Sequence, residues 1–96
     1  MPLLDQLRAH RNEILALAAQ HGVEDVRVFG SVARGEERPD SDIDLLIAMR
    51  YDVDPFGFLR FRREVAALMG REVDIVFEKG IYHGLRDVIL QEARPI

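Results

Sequence analysis

Apolar side chains recur along this chain with two different periods. Over residues 3 to 20, Leu4, Leu7, Ile14, Leu15, Leu17 and Ala18 fall close to helical spacing. Pro2 sits where a first turn tolerates proline and Gly22 follows as a stop, so the pattern predicts one continuous helix. Residues 25–29 (DVRVF) alternate and read as a strand ended by Gly30. Ser31 is a good N-cap type for a short helix over VARGE, and residues 36–41 (EERPDS) are a loop by composition. Residues 43–49 (IDLLIAM) are apolar enough for a central strand. After a turn at 52–55, residues 56–69 predict a helix with Phe58, Leu59, Val65, Ala66 and Met69 on one stripe and Arg62 as its discordant member. Gly70 ends it. Residues 72–77 (EVDIVF) predict a third strand, Lys79–Gly80 a turn, and residues 81–93 a last helix with Leu85, Val88, Ile89 and Glu92 in series. The order αβαβαβα, counting the short helix after Ser31, argues an α/β fold with helices layered on a small sheet. This order leaves open whether the sheet is parallel or mixed.

Two carboxylates interrupt this pattern at an expensive place. Asp42 and Asp44 stand at the entrance of the most apolar strand, and a charge there costs free energy unless something compensates it. Side chains alternate along a strand, so both point to one face while Ile43, Leu45 and Ile47 point to the other. Asp74 alternates in the same way with Val73, Ile75 and Phe77. If the second and third strands are neighbours, the three acids cluster, and a cluster of carboxylates repels unless a cation sits among them. Mg²⁺ suits such oxygen donors and brings substrate phosphates with it. The arrangement fits two-metal phosphoryl or nucleotidyl transfer. Gly30–Ser31, between a strand and a helix start, offers backbone N–H groups and a hydroxyl to phosphate. Taken singly, a strand-end aspartate is more often a solvated boundary residue, and an isolated Gly-Ser is mostly a turn. The joint pattern is what points to chemistry.

Composition narrows the setting. The chain has 96 residues and reads as a single domain over 1–96. It has no cysteine, which excludes a disulfide framework and a thiolate metal site. No apolar run is long enough to span a membrane, and the charged N-terminus does not resemble a signal peptide, so a cytoplasmic location is expected. The net charge of −4 argues against a domain that wraps a nucleic acid backbone.

The segment FGSVARGEERPDSDIDLLI, with Gly30–Ser31, ten residues, then Asp42-x-Asp44, resembles the GSx10DxD signature of the DNA polymerase beta-like nucleotidyltransferase superfamily. Within it, the chain is similar to the minimal nucleotidyltransferase (MNT) antitoxins paired with HEPN-domain toxins, and Asp74 in EVDIVF falls where that family places its third carboxylate. The resemblance implies a small mixed sheet with helices packed largely on one face. It implies that Asp42 and Asp44 bind two Mg²⁺ ions and that Asp74 binds one and serves or orients the general base. Gly30 and Ser31 then hold the nucleotide phosphates. The implied reaction moves AMP from ATP to a tyrosine of a HEPN ribonuclease toxin, with which the protein forms a hetero-oligomer. The alternative within the same resemblance is a non-catalytic antitoxin that masks the toxin. A small-molecule nucleotidyltransferase of the antibiotic-modifying kind ranks last, because those enzymes add a second domain for the acceptor.

Other residues stay open between roles. Arg34 and Arg38 flank the loop, each either a phosphate or carboxylate partner or a solvated charge. Arg60, Arg62 and Arg63 read as a solvated helix face balanced by Glu64. His10, His21 and His83 lack metal-ligand spacing. Phe56, Phe58 and Phe61 are core anchors, some of them exposed, because one helix cannot bury aromatics spread around it. Tyr82 and the last helix could form an interface.

Overall fold

The strand with the most apolar sequence takes an interior place, and the rest of the fold is arranged around it. A computed structural model describes all residues, Met1–Ile96. It contains α1 (Leu3–Ala9), α2 (Arg11–Gln20), β1 (Val23–Phe29), α3 (Gly30–Arg34), β2 (Ile43–Met49), α4 (Gly57–Met69) and β3 (Val73–Phe77). One 3₁₀ turn (Glu78–Gly80), α5 (His83–Glu92) and β4 (Arg94–Pro95) follow. The sheet order is β3-β2-β1-β4, with β2 parallel to β3 and β1 antiparallel to both β2 and β4. The sheet is therefore mixed.

Register assigns the two faces. Val26 pairs with Ile47 and Val28 with Leu45, while Ile43 pairs with Val73. These residues form one core with Leu3, Leu7, Ile14 and Ala18 of α1 and α2, Val32 and Ala33 of α3, and Phe61 and Val65 of α4. Helices α1 to α4 thus feed a single face, whereas α5 buries no residue. The second face carries Arg27 opposite Leu46, Phe29 opposite Asp44, and Asp44 opposite Asp74. Arg27 reaches across that face, 3.1 Å from Asp25 and 3.0 Å from Glu78.

Four local expectations are corrected. The first helix is two helices, broken at His10, whose backbone (φ −100°, ψ 15°) leaves the helical basin. The His10 imidazole bonds Glu13 at 2.9 Å, and local side-chain bonds of this kind compete with helix continuation. Ser31 is not the N-cap of α3: Phe29 is, and Ser31 lies inside the helix without a capping bond. In α4 the expected Phe58, Val65, Ala66 and Met69 do pack on the core, but Leu59 (45% exposed) points away and the fully buried Phe61 takes the central place. Gly57 lies tight against the end of α2, where an added Cβ would clash with the His21 carbonyl oxygen. Finally, β4 lies just beyond the helix expected over 81–93. It exists because β1 has a free edge for Arg94 and Pro95 to pair with, a contact that no local pattern encodes.

Candidate active site

The site is built where β1 ends and β2 begins. β1 leaves the sheet at Gly30, whose φ of +75° is accessible to glycine and strained for other residues. Because Phe29 is the register partner of Asp44, this turn lies beside the Asp44 carboxylate. The approach is so close that a Cβ on Gly30 would stand 2.2 Å from Asp44 Oδ2. On the other side of β2, Asp44 pairs with Asp74, so their side chains stand on the same face of neighbouring strands. The structure thus brings Gly30, Asp44 and Asp74 together, with Asp42 one step before β2.

Asp42 is delivered by the loop after α3, and that loop is tied down. Leu3 N–H donates to Glu37 Oε1 at 2.9 Å, and Arg38 N–H to Ser41 Oγ at 2.8 Å. Arg71, from the turn before β3, donates to the carbonyls of Arg38 (3.0 Å) and Ser41 (2.9 Å). Arg71 escaped the sequence reading because its partners are carbonyls 30 and more residues away. The Arg38 side chain makes no ion pair, while its backbone serves the loop.

Electrostatically the site bears on Asp44. The Asp44 carboxyl is pushed above its ordinary value of 3.8, first by burial and then by the charges of Asp74 and Asp42. Arg34 pulls in the opposite direction and Glu92 adds to the repulsion. Arg34 itself is held more firmly protonated by hydrogen bonds to Glu36 (3.0 Å) and Glu92 (2.7 Å).

By sequence Glu92 is only a member of the last helix's series. In the fold its Oε1 accepts both from Arg34 and from the backbone N–H of Gly30. The signal for it was a carboxylate in an otherwise apolar series. Its partners lie 62 and 58 residues away and could not be named in advance.

No three acidic or imidazole side chains close into a metal cage. An open set of carboxylates on adjacent strands still fits Mg²⁺, which keeps several waters and is usually held by one or two protein carboxylates plus substrate phosphates. The burial and mutual repulsion that raise Asp44 are the same feature seen from the protein's side. Arg60 and Arg63 are exposed on α4, as expected, and Arg62 donates through Nε to the Val73 carbonyl at 2.8 Å. An apolar cleft of 420 Å³ lined by Ile47, Met49, Tyr51, Val53 and Phe77 lies at the opposite ends of β2 and β3 and contains none of these acids.

Such a sheet, with a strand–glycine turn set against paired aspartates, defines a nucleotidyltransferase domain. The chain belongs to that family, whose profile matches residues 7–96. It is 34% identical over 86 residues to the protein adenylyltransferase MntA of Thermococcus cleftensis, covering 90% of this chain and 84% of that one. The fold superposes with a TM-score of 0.84 on a solved protein provisionally named minimal nucleotidyltransferase. That pair is 47% identical, with 97% of this chain and 95% of the other covered. A third likeness is to the structure of a tri-AMPylated Shewanella oneidensis HEPN toxin in complex with an MNT antitoxin. There the TM-score is 0.65 at 17% identity, covering 92% of this chain and 69% of the other, and it speaks for the shared fold alone. The family resemblance carried by Gly30–Ser31 and Asp42-x-Asp44 is borne out.

Proposed function

We propose that this chain is an antitoxin that transfers AMP from ATP to a tyrosine hydroxyl of a HEPN ribonuclease toxin. The observation that carries the reading is the Asp44–Asp74 register pair with Gly30 against Asp44. The relative from Thermococcus cleftensis, a protein adenylyltransferase, supplies the class of acceptor and the nucleotide. In this reading Asp42, Asp44 and Asp74 would hold two Mg²⁺ ions, whose charge would neutralise the triphosphate. Gly30 N–H, the Ser31 hydroxyl and Arg34 bind phosphate oxygens. Asp74 accepts the hydroxyl proton, directly or through water, as the tyrosine oxygen bonds to the α-phosphorus. The bond from that phosphorus to the bridging oxygen breaks, and pyrophosphate leaves.

The acceptor is carried by a partner bound as a hetero-oligomer. The chain's −4 charge disfavours nucleic acid as that partner. No helix is long and apolar enough to cross a membrane.

The test is the intact mass of the HEPN partner after incubation with this protein, Mg²⁺ and ATP, beside the double variant Asp42→Ala/Asp44→Ala. A gain of one or more AMP units that the variant abolishes supports the reading. A tight complex with no gain in mass replaces it with neutralisation by masking.

A further inference from the structure

We infer that Glu92 is an internal phosphate mimic: its carboxylate occupies the donors of the phosphate subsite and is displaced when a nucleotide enters. The inference rests on the proposed nucleotide site and concerns how that site is regulated.

Three observations carry it. The first is chemical: one carboxylate oxygen accepts from both Gly30 N–H and Arg34 Nη1, a backbone donor and a cation that also suit a phosphate oxygen. The second is electrostatic. Glu92 adds a further negative charge that repels Asp44, and it stands there because those two donors hold it. A nucleotide phosphate brings more charge to the same donors, so the two anions cannot share them. The third concerns the carrier. Helix α5 buries none of its residues and exposes Leu85 (54%) and Val88 (59%), so little apolar packing fixes it. The chain beyond it is anchored, with Ile96 buried and its carbonyl bonded by Arg11 at 3.0 Å. Release therefore needs a turn of the Glu92 side chain or a rocking of α5 about Ala93, with β4 staying in place.

A gate and a brace predict opposite signs. If Glu92 braces the Gly30 turn in its binding geometry, removing its charge loosens the turn and weakens nucleotide binding. If it competes with phosphate, removing the charge tightens binding, because the competent state no longer has to be reached by breaking the Glu92 contacts.

The experiment is calorimetric titration of the whole chain with AMP-PNP and Mg²⁺, comparing wild type with Glu92→Gln and Glu92→Ala. Glu92→Gln is expected to bind about tenfold tighter or more, and Glu92→Ala to move in the same direction. Wild-type protein is followed in parallel by NMR, in which the Gly30 amide and the Glu92 side-chain carboxyl carbon shift together on saturation with AMP-PNP. That measurement stands even if the variants fold poorly. Binding by wild type with unchanged or weaker binding by Glu92→Gln overturns the gate and leaves the nucleotide site intact. A Glu92 signal that stays put while nucleotide saturates the protein does the same. Absence of AMP-PNP binding by every form overturns the nucleotide site and the gate together.

Discussion

Gly30 and Asp44 are in contact across the β1–β2 pair, and the contact leaves no room for a side chain on residue 30: a Cβ there would lie 2.2 Å from Asp44 Oδ2. The φ of +75° adds a conformational penalty for any other residue. Gly30→Ala is therefore expected to destabilise the fold by about 1–3 kcal/mol and to push the Asp44 carboxylate off its position. Thermal unfolding reads the first effect and AMP-PNP titration the second. A variant that melts like wild type and binds normally would show that the turn is freer than this geometry allows.

The raised Asp44 carboxyl has a consequence for pH. The folded state keeps this proton to higher pH than the unfolded chain, whose carboxyl titrates near the ordinary 3.8. Between those two values folded protein binds more protons, so the group's contribution to stability is full below 3.8 and is lost as pH rises through the raised value. Asp44→Asn removes that loss. Without divalent metal, the variant should melt a few degrees above wild type at neutral pH, and the gap should close toward pH 4. Paired melting curves across that range check it. A variant less stable than wild type at neutral pH would mean that the carboxylate makes a favourable contact the repulsion does not outweigh.

Two phenylalanines of one segment should behave oppositely. Phe61 is fully buried between α4 and the sheet, and Phe56 is 67% exposed. Phe61→Ala is expected to cost about 3–5 kcal/mol through lost burial and a cavity. Phe56→Ala should stay within about 0.5 kcal/mol. Urea denaturation of both variants measures the difference, and similar costs would contradict the observed orientation of α4.

Arg71 stands outside the acid cluster yet holds the loop that presents Asp42. Arg71→Ala removes two donors from the carbonyls of Arg38 and Ser41. The loss in global stability should be modest, about 1–2 kcal/mol, while AMP transfer falls tenfold or more as the loop loosens. Hydrogen exchange at Ser41, whose N–H bonds Arg38 O at 3.0 Å, should accelerate without a matching change in β2. Transfer at the wild-type rate would leave the clamp without a role in the reaction.

Local periodicity set much of this protein. Strand alternation placed Asp42 and Asp44 on one face, and the apolar run LLI made β2 interior, because Leu45 and Ile47 are buried on one face and Leu46 on the other. The Gly30–Ser31 and Asp42-x-Asp44 spacing identified the family, since that combination of a phosphate turn and paired acids is rare by chance. What local pattern could not reach are the relationships between distant segments. That Asp74 would face Asp44 depended on β3 lying parallel beside β2, a pairing the element order left open. The seating of α4 on Phe61 was settled by what that helix packs against, which outweighs the weak preferences of single residues. The edge pairing of Arg94–Pro95 with β1, the Arg71 clamp and the seat of Glu92 on Gly30 and Arg34 join residues 30 to 68 positions apart. A sequence read by local spacing carries no signal for such contacts, because they form only when the whole sheet and its helices have come together.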